Sequence, residues 1–277
     1  MRGVGWVSVI FLLTPAWCAA AAGTPLAVCP INAESLAQMR KRHALASAEV
    51  DDPVYKRKQR YQGFWLRDLL QDLSYAGHPE SDVYVRFRCK DGYLPIMPLG
   101  RAMSGRGLVA IRDLGAGPGE EWEPTLANGA LSIPAPSYLV WVSTSGDTEQ
   151  YPWPYQMVAI ELVSSADAVG EAVSGGSKKH GSDLFVQHCL KCHAINGAGG
   201  TFGPELNSPC SVTEYWEPGF LSRFIANAPS IRAGTKMPDF QALAAKDVQA
   251  IVEYLQFMAS HKTAGAMCQS GRHPPGS

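Results

Sequence analysis

The sequence predicts a short leader and then two domains, an α+β domain with a mostly β core followed by an all-α domain. Three observations carry this. Val83 to Arg88 alternates apolar and polar residues between Pro/Gly-rich loops, as a half-buried strand does. From Ser182 onward the apolar residues recur at helical spacing. Between them, Ser165 to Gly181 (SADAVGEAVSGGSKKHG) is small, polar and Gly/Ser-rich, the composition of a flexible linker. The expected organisation is a leader over 1–22, an α+β domain over 23–164, a linker over 165–181 and a helical domain over 182–277.

At the start, Met1-Arg2 is basic, Val4 to Leu13 is a compact apolar run, Pro15 breaks it, and Ala19 to Gly23 supplies small residues. The run is too short to span a bilayer and reads as a secretory signal cleaved near Ala22. Bulky Trp17 disfavours a lipoprotein reading at Cys18, and an uncleaved anchor is the alternative. No later stretch is apolar enough to span, so the mature protein is expected to be soluble and periplasmic. The formal net charge of −1 leaves no global attraction for nucleic acid or an anionic membrane. An oxidising compartment permits disulfides among Cys29, Cys89, Cys210 and Cys268. The simplest pairing for Cys89 is Cys29, and Cys210 with Cys268 would tie down the tail.

In the first domain, Glu34 to Ser47 is rich in helix formers. Gly63 to Leu73 places Trp65, Leu66, Leu69, Leu70 and Leu73 at helical spacing. Leu108 to Ile111, Tyr138 to Val142 and Tyr155 to Val163 read as further strands. The basic runs Lys41 to His43 and Lys56 to Arg60 read as solvated helix faces, and Trp141, Tyr151, Trp153 and Tyr155 as core aromatics. No Gly-rich phosphate loop and no Ser/His/Asp arrangement stands out.

The second domain holds the decisive motif, Cys189-Leu190-Lys191-Cys192-His193. Two thiols with two residues between them can add across the two vinyl groups of one haem, and the adjacent histidine then lies under the iron. A thiol redox pair is the other chemistry of C-x-x-C, but it belongs near a βαβ pattern, and this motif closes a short helix beginning near Ser182. One covalent haem c is therefore expected, anchored by Cys189 and Cys192 and ligated by His193. His180 and His188 read as surface residues.

Around this motif, Gly181 to Lys262 resembles a class I cytochrome c. Gly181-Ser182-Asp183-Leu184-Phe185 is similar to that family's first helix, and Ala194 to Leu206 (AINGAGGTFGPEL) to its glycine-rich loop. The resemblance implies that the Pro204 carbonyl accepts a hydrogen bond from His193, fixing the tautomer that leaves Nε2 for iron. It also implies Met237, in Thr235-Lys236-Met237-Pro238, as the second axial ligand; a thioether favours Fe(II) and raises the potential relative to bis-histidine ligation. Met258 falls on a helix face and Met267 in the tail. Tyr215 and Trp216 are similar to aromatics that bond a haem propionate, though core packing serves them as well. Asp247 to Ser260 resembles the closing helix, with Val248, Ile251, Tyr254 and Leu255 on one face.

Gln62 to Val163 more loosely resembles the later part of a sulfite-oxidase-type molybdopterin-binding domain, through Gly63 to Leu70, Asp91-Gly92-Tyr93, Leu108 to Asp113, Ser137 to Trp141 and Trp153 to Leu162. It departs where the chemistry lies. The family's molybdenum-ligating cysteine stands early in the domain, whereas Cys89 comes late. The domain is therefore expected to be a cofactor-free docking or structural module, without molybdopterin. Together these readings predict a periplasmic protein relaying single electrons between a partner dehydrogenase and a downstream carrier or oxidase. The rival readings are a haem-containing molybdoenzyme or its subunit, and a haem-based sensor or peroxidase.

Overall fold

The computed structural model describes residues 24–127, 130–142, 147–169 and 178–262. The expected leader and Cys268 lie outside these residues. In chain order, the first domain runs β1 (Ala27–Pro30), α1 (Ala33–Arg42), β2 (Ala46–Asp52), β3 (Arg57–Trp65), α2 (Leu66–Gln71), β4 (Val83–Cys89), β5 (Ile96–Pro98), α3 (Leu99–Ser104), β6 (Gly107–Asp113), β7 (Thr125–Ala127), β8 (Ala130–Ser132), β9 (Tyr138–Trp141), β10 (Met157–Ser164) and α4 (Ser165–Val169). The second runs α5 (Lys179–His188), β11 (Ala194–Ile195), β12 (Ala198–Gly199), α6 (Val212–Tyr215), α7 (Pro218–Ala226), α8 (Ala228–Ile231) and α9 (Ala245–Ala259).

Two four-stranded antiparallel sheets, ordered β1-β10-β4-β5 and β2-β3-β6-β9, dominate the first domain. Their alternating residues build two cores. Val109, Ile111, Leu139 and Trp141 meet Val85, Phe87, Ile160 and Leu162 of the other sheet. Leu108, Ala110, Tyr138 and Val140 point the opposite way, into an aromatic cluster with Tyr61 and Trp122. Strands buried on both faces lose polar alternation, which is why β6 and β9 read as near-continuous apolar runs.

Several expectations are corrected. Gly63 to Trp65 ends β3 rather than beginning a helix, and Arg57 to Arg60 lies in that strand rather than on a helix. The helix expected over Glu34 to Ser47 stops at Arg42, where β2 pairing takes over. On β4, Arg86 lies not on a wet face but buried opposite Glu161 of β10, its Nε donating to the carboxylate at 2.6 Å. Cys29 and Cys89 are free thiols, not a disulfide. They sit on β1 and β4 with β10 between them. Two strand spacings are about 10 Å, beyond the Cα separation of about 7 Å a disulfide tolerates.

The expected linker is also shorter. Residues 165–169 form α4, held by Ser165 bonding Asp82 and by Ala168 packing inward, and α5 has begun by Lys179. Residues 170–177 lie outside those described.

The second domain is helical apart from the β11–β12 hairpin, so all-α holds only roughly. Val248, Ile251, Tyr254 and Leu255 on α9 are buried, with Val252 and Met258 beside them. Phe185 of α5 meets Tyr254 at 5.4 Å between ring centroids. Cys210 is disulfide-bonded, and its partner lies outside the described residues. No described helix is long and apolar enough to cross a membrane.

Candidate functional site

The site grows from the end of α5. Cys189 caps this helix, its N–H donating to Phe185 O. One further turn follows, with the N–H groups of Cys192 and His193 both donating to Cys189 O at 3.0 and 2.9 Å. Both thiols and the imidazole are thereby carried on one turn of chain. Leu190 plugs inward, 3% exposed, and anchors the turn to the helical core.

The thiols are free and protonated. Burial pushes Cys189 up to about 12, with Lys191 opposing it, and Cys192 up to about 11 for the same reason. A dithiol oxidoreductase needs the reverse, a thiolate stabilised at a helix N-terminus or by cations. Here the pair follows a helix C-terminus, whose dipole disfavours negative charge.

His193 is positioned on two sides. Its Nδ1 lies 2.8 Å from Pro204 O. A carbonyl only accepts, so Nδ1 carries the proton and Nε2 keeps its lone pair. Burial lowers the ring's proton affinity against the opposing pull of Pro204 and Glu205, which favours the neutral form that binds metal. The other support is Gly203: a Cβ there would sit 2.5 Å from His193 Cε1, so only glycine lets the loop lie against the ring.

That loop is tied by a residue the sequence reading missed. The Glu205 carboxylate accepts from the N–H groups of Asn196, Gly197, Asn207 and Ser208 at 2.9 to 3.2 Å. Asn207, 1% exposed, reaches Met258 O at 2.8 Å and joins the loop to α9. A carboxylate that caps backbone N–H groups leaves only a polar residue in a loop as its signal, and many loops have one.

Met237 is half-buried against the apolar cluster that contains Phe185, Leu190 and Ile195. Trp216 packs on the same cluster, its ring centroid 5.1 and 5.0 Å from those of Phe220 and Phe224, whereas Tyr215 is 39% exposed. His180 is a surface residue paired with Asp247. His188 is not: it is 6% exposed, and its Nδ1 meets Glu149 of the first domain at 3.0 Å. No sequence pattern within either domain could show that contact.

The first domain also reaches the motif directly. Leu94 N–H donates to Lys191 O at 2.8 Å, and Thr201 N–H to Gly92 O at 2.9 Å. Ile96 packs against the helical domain's core, and Tyr93 lies near both Cys192 and Cys89, buried enough to raise its hydroxyl well above the usual range. A cleft of about 750 Å³ runs alongside, between residues 88–94 and the loop from Ala194 to Ser208.

This donor set fits a covalently attached haem: two free thiols, a neutral imidazole with its Nδ1 proton occupied, and a thioether on a shared apolar wall. Among the described residues, no group of three or more His, Cys, Asp or Glu side chains is arranged to hold a metal ion by itself. No curated protein matches the chain. Residues 176–255 match the family described as cytochrome C oxidase, cbb3-type, subunit III, and this C-terminal part of the chain is a c-type cytochrome domain.

Proposed function

We propose that the chain is a periplasmic electron-transfer protein with one haem, anchored through Cys189 and Cys192 and ligated by His193 and Met237. When bound, the haem supplies a one-electron Fe(III)/Fe(II) couple. The observation that carries the reading is His193, with Nδ1 committed to Pro204 O and Nε2 left free, directly after the unbridged thiol pair Cys189 and Cys192. The protein's part is to keep that imidazole neutral and oriented, to offer Met237 from the opposing loop, and to keep water from the apolar wall. His193 and Met237 would together hold the iron and leave no place on it for a substrate. The sulfur ligand sets the higher range of potential.

The haem domain serves a redox partner, and we place a dehydrogenase upstream and a carrier or oxidase downstream. The matched family's description as an oxidase subunit supports the downstream side. The disulfide at Cys210 supports an oxidising compartment. The first domain is a docking and structural module. Cys89 is 4% exposed and packs within the first domain's apolar core.

Carbon monoxide tests the ligand assignment. The reduced wild-type protein binds none at neutral pH, whereas Met237→Ala, with one axial position open, binds it and shows the shifted Soret band. Binding by the wild type would support a sensor or peroxidase, and an unaltered spectrum in the variant would remove Met237 from the site.

A further inference from the structure

The contact between the domains falls on the segment that anchors the haem, and it is built rather than incidental. Two main-chain hydrogen bonds cross it, Leu94 N–H to Lys191 O and Thr201 N–H to Gly92 O. Each pairs a backbone group that would otherwise need another partner, and both backbones lie in register where they form.

Gly92 sits in the left-handed region at φ +88°, and a Cβ there would lie 2.4 Å from Thr201 Oγ1. The turn after β4 is therefore shaped to lie flat on the cytochrome loop. Ile96 extends the contact into the helical domain's apolar cluster. At the far end of the motif, Glu149 accepts from His188 Nδ1 and from Gln187 Nε2, fastening the last turn of α5. Four points on the first domain thus bracket Gln187 to Phe202.

We infer that the first domain is a fixed cover over the haem-attachment segment, closing that edge to other proteins while small solutes still reach the site. The inference rests on the electron-carrier reading above. It makes the chain a carrier that admits protein partners only over its remaining faces, so partner choice is set partly by what the cover excludes.

The test uses the full, haem-loaded chain and two reductants, hexaammineruthenium(II) and a reduced flavodoxin, each giving one electron per haem. Gly92→Val unseats the turn, and Ile96→Asp removes the apolar anchor should the first variant fold poorly. The cover predicts that either variant speeds reduction by flavodoxin about tenfold, within the one to three decades over which mutations at one interface move association rates. Reduction by the ruthenium complex changes less than about twofold, well under those decades. Hydrogen exchange supplies a readout independent of the haem: the Leu94 and Thr201 amides are protected in the wild type and exposed in the variants. Equal flavodoxin rates, with those amides freed, overturn the cover alone. Fast exchange at both amides in the wild type also overturns it. A protein that acquires no haem fails at the absorption spectrum before any rate is measured, and overturns the carrier reading with it.

Discussion

His193 is held by one hydrogen bond and one missing side chain, and both were differently visible in the sequence. The Pro204 carbonyl follows from a family likeness, whereas the demand for glycine at 203 appears only when the loop is seen against the ring. The motif itself was legible because covalent attachment needs two bond-forming sulfurs and one iron-binding nitrogen within five consecutive residues. Glu205 was not, since it acts on backbone groups that carry no sequence identity. Away from the site, Asp113 allows a test of residue-scale electrostatics. Burial raises its carboxyl, with the Gly115 N–H opposing and Glu123 adding to the rise. The unfolded chain therefore releases this proton at a lower pH than the fold does. Stability contributed by the protonated form is lost as pH rises from about 4, the ordinary aspartate value, through the raised folded value. Asp113→Asn removes that slope. Denaturant titrations at several pH values check it, and equal slopes in both proteins would contradict the assignment.

At the scale of elements, patterns buried on one face were read well and patterns decided by pairing were not. The α9 stripe repeats at helical spacing, and its residues form the cytochrome core. In contrast, β2 (ASAEVDD) and β3 (RKQRYQGFW) contain few apolar residues in strict alternation, and become strands because seven paired positions hold them together. Arg86 shows the same limit: an arginine on a strand reads as exposed until its partner across the ladder is known. With Glu161 only 4% exposed, the pair is a buried cross-strand ion pair, also joined by Arg88 at 2.8 Å. Replacing Glu161 by Ala is expected to cost about 3–5 kcal/mol, because charge is left inside without its counterpart. The double replacement Arg86→Met, Glu161→Leu should recover most of this loss. Urea unfolding of the wild type and both variants decides it, and a Glu161→Ala protein as stable as the wild type would contradict the burial argument.

For the whole molecule, the domain order and the switch from strand to helix patterns were legible, because each domain closes its own core. Their contact was not. Leu94 meets Lys191 and Gly92 meets Thr201 through backbone atoms, and His188 finds Glu149 across the interface, so neither partner leaves a periodic signal. The expected linker gave way to α4 at its start and α5 at its end for the same reason: small polar residues accept helix when a neighbouring surface receives them. What unites these scales is a cytochrome domain whose Cys189–His193 turn is presented by one helix, braced by one loop and overlaid by a second domain. The intact mass of the protein, made in a host that matures c-type cytochromes, addresses that account most directly. It predicts a polypeptide heavier by one haem, with Cys189 and Cys192 inert to alkylation after denaturation. A bare polypeptide mass with both thiols alkylated would contradict it.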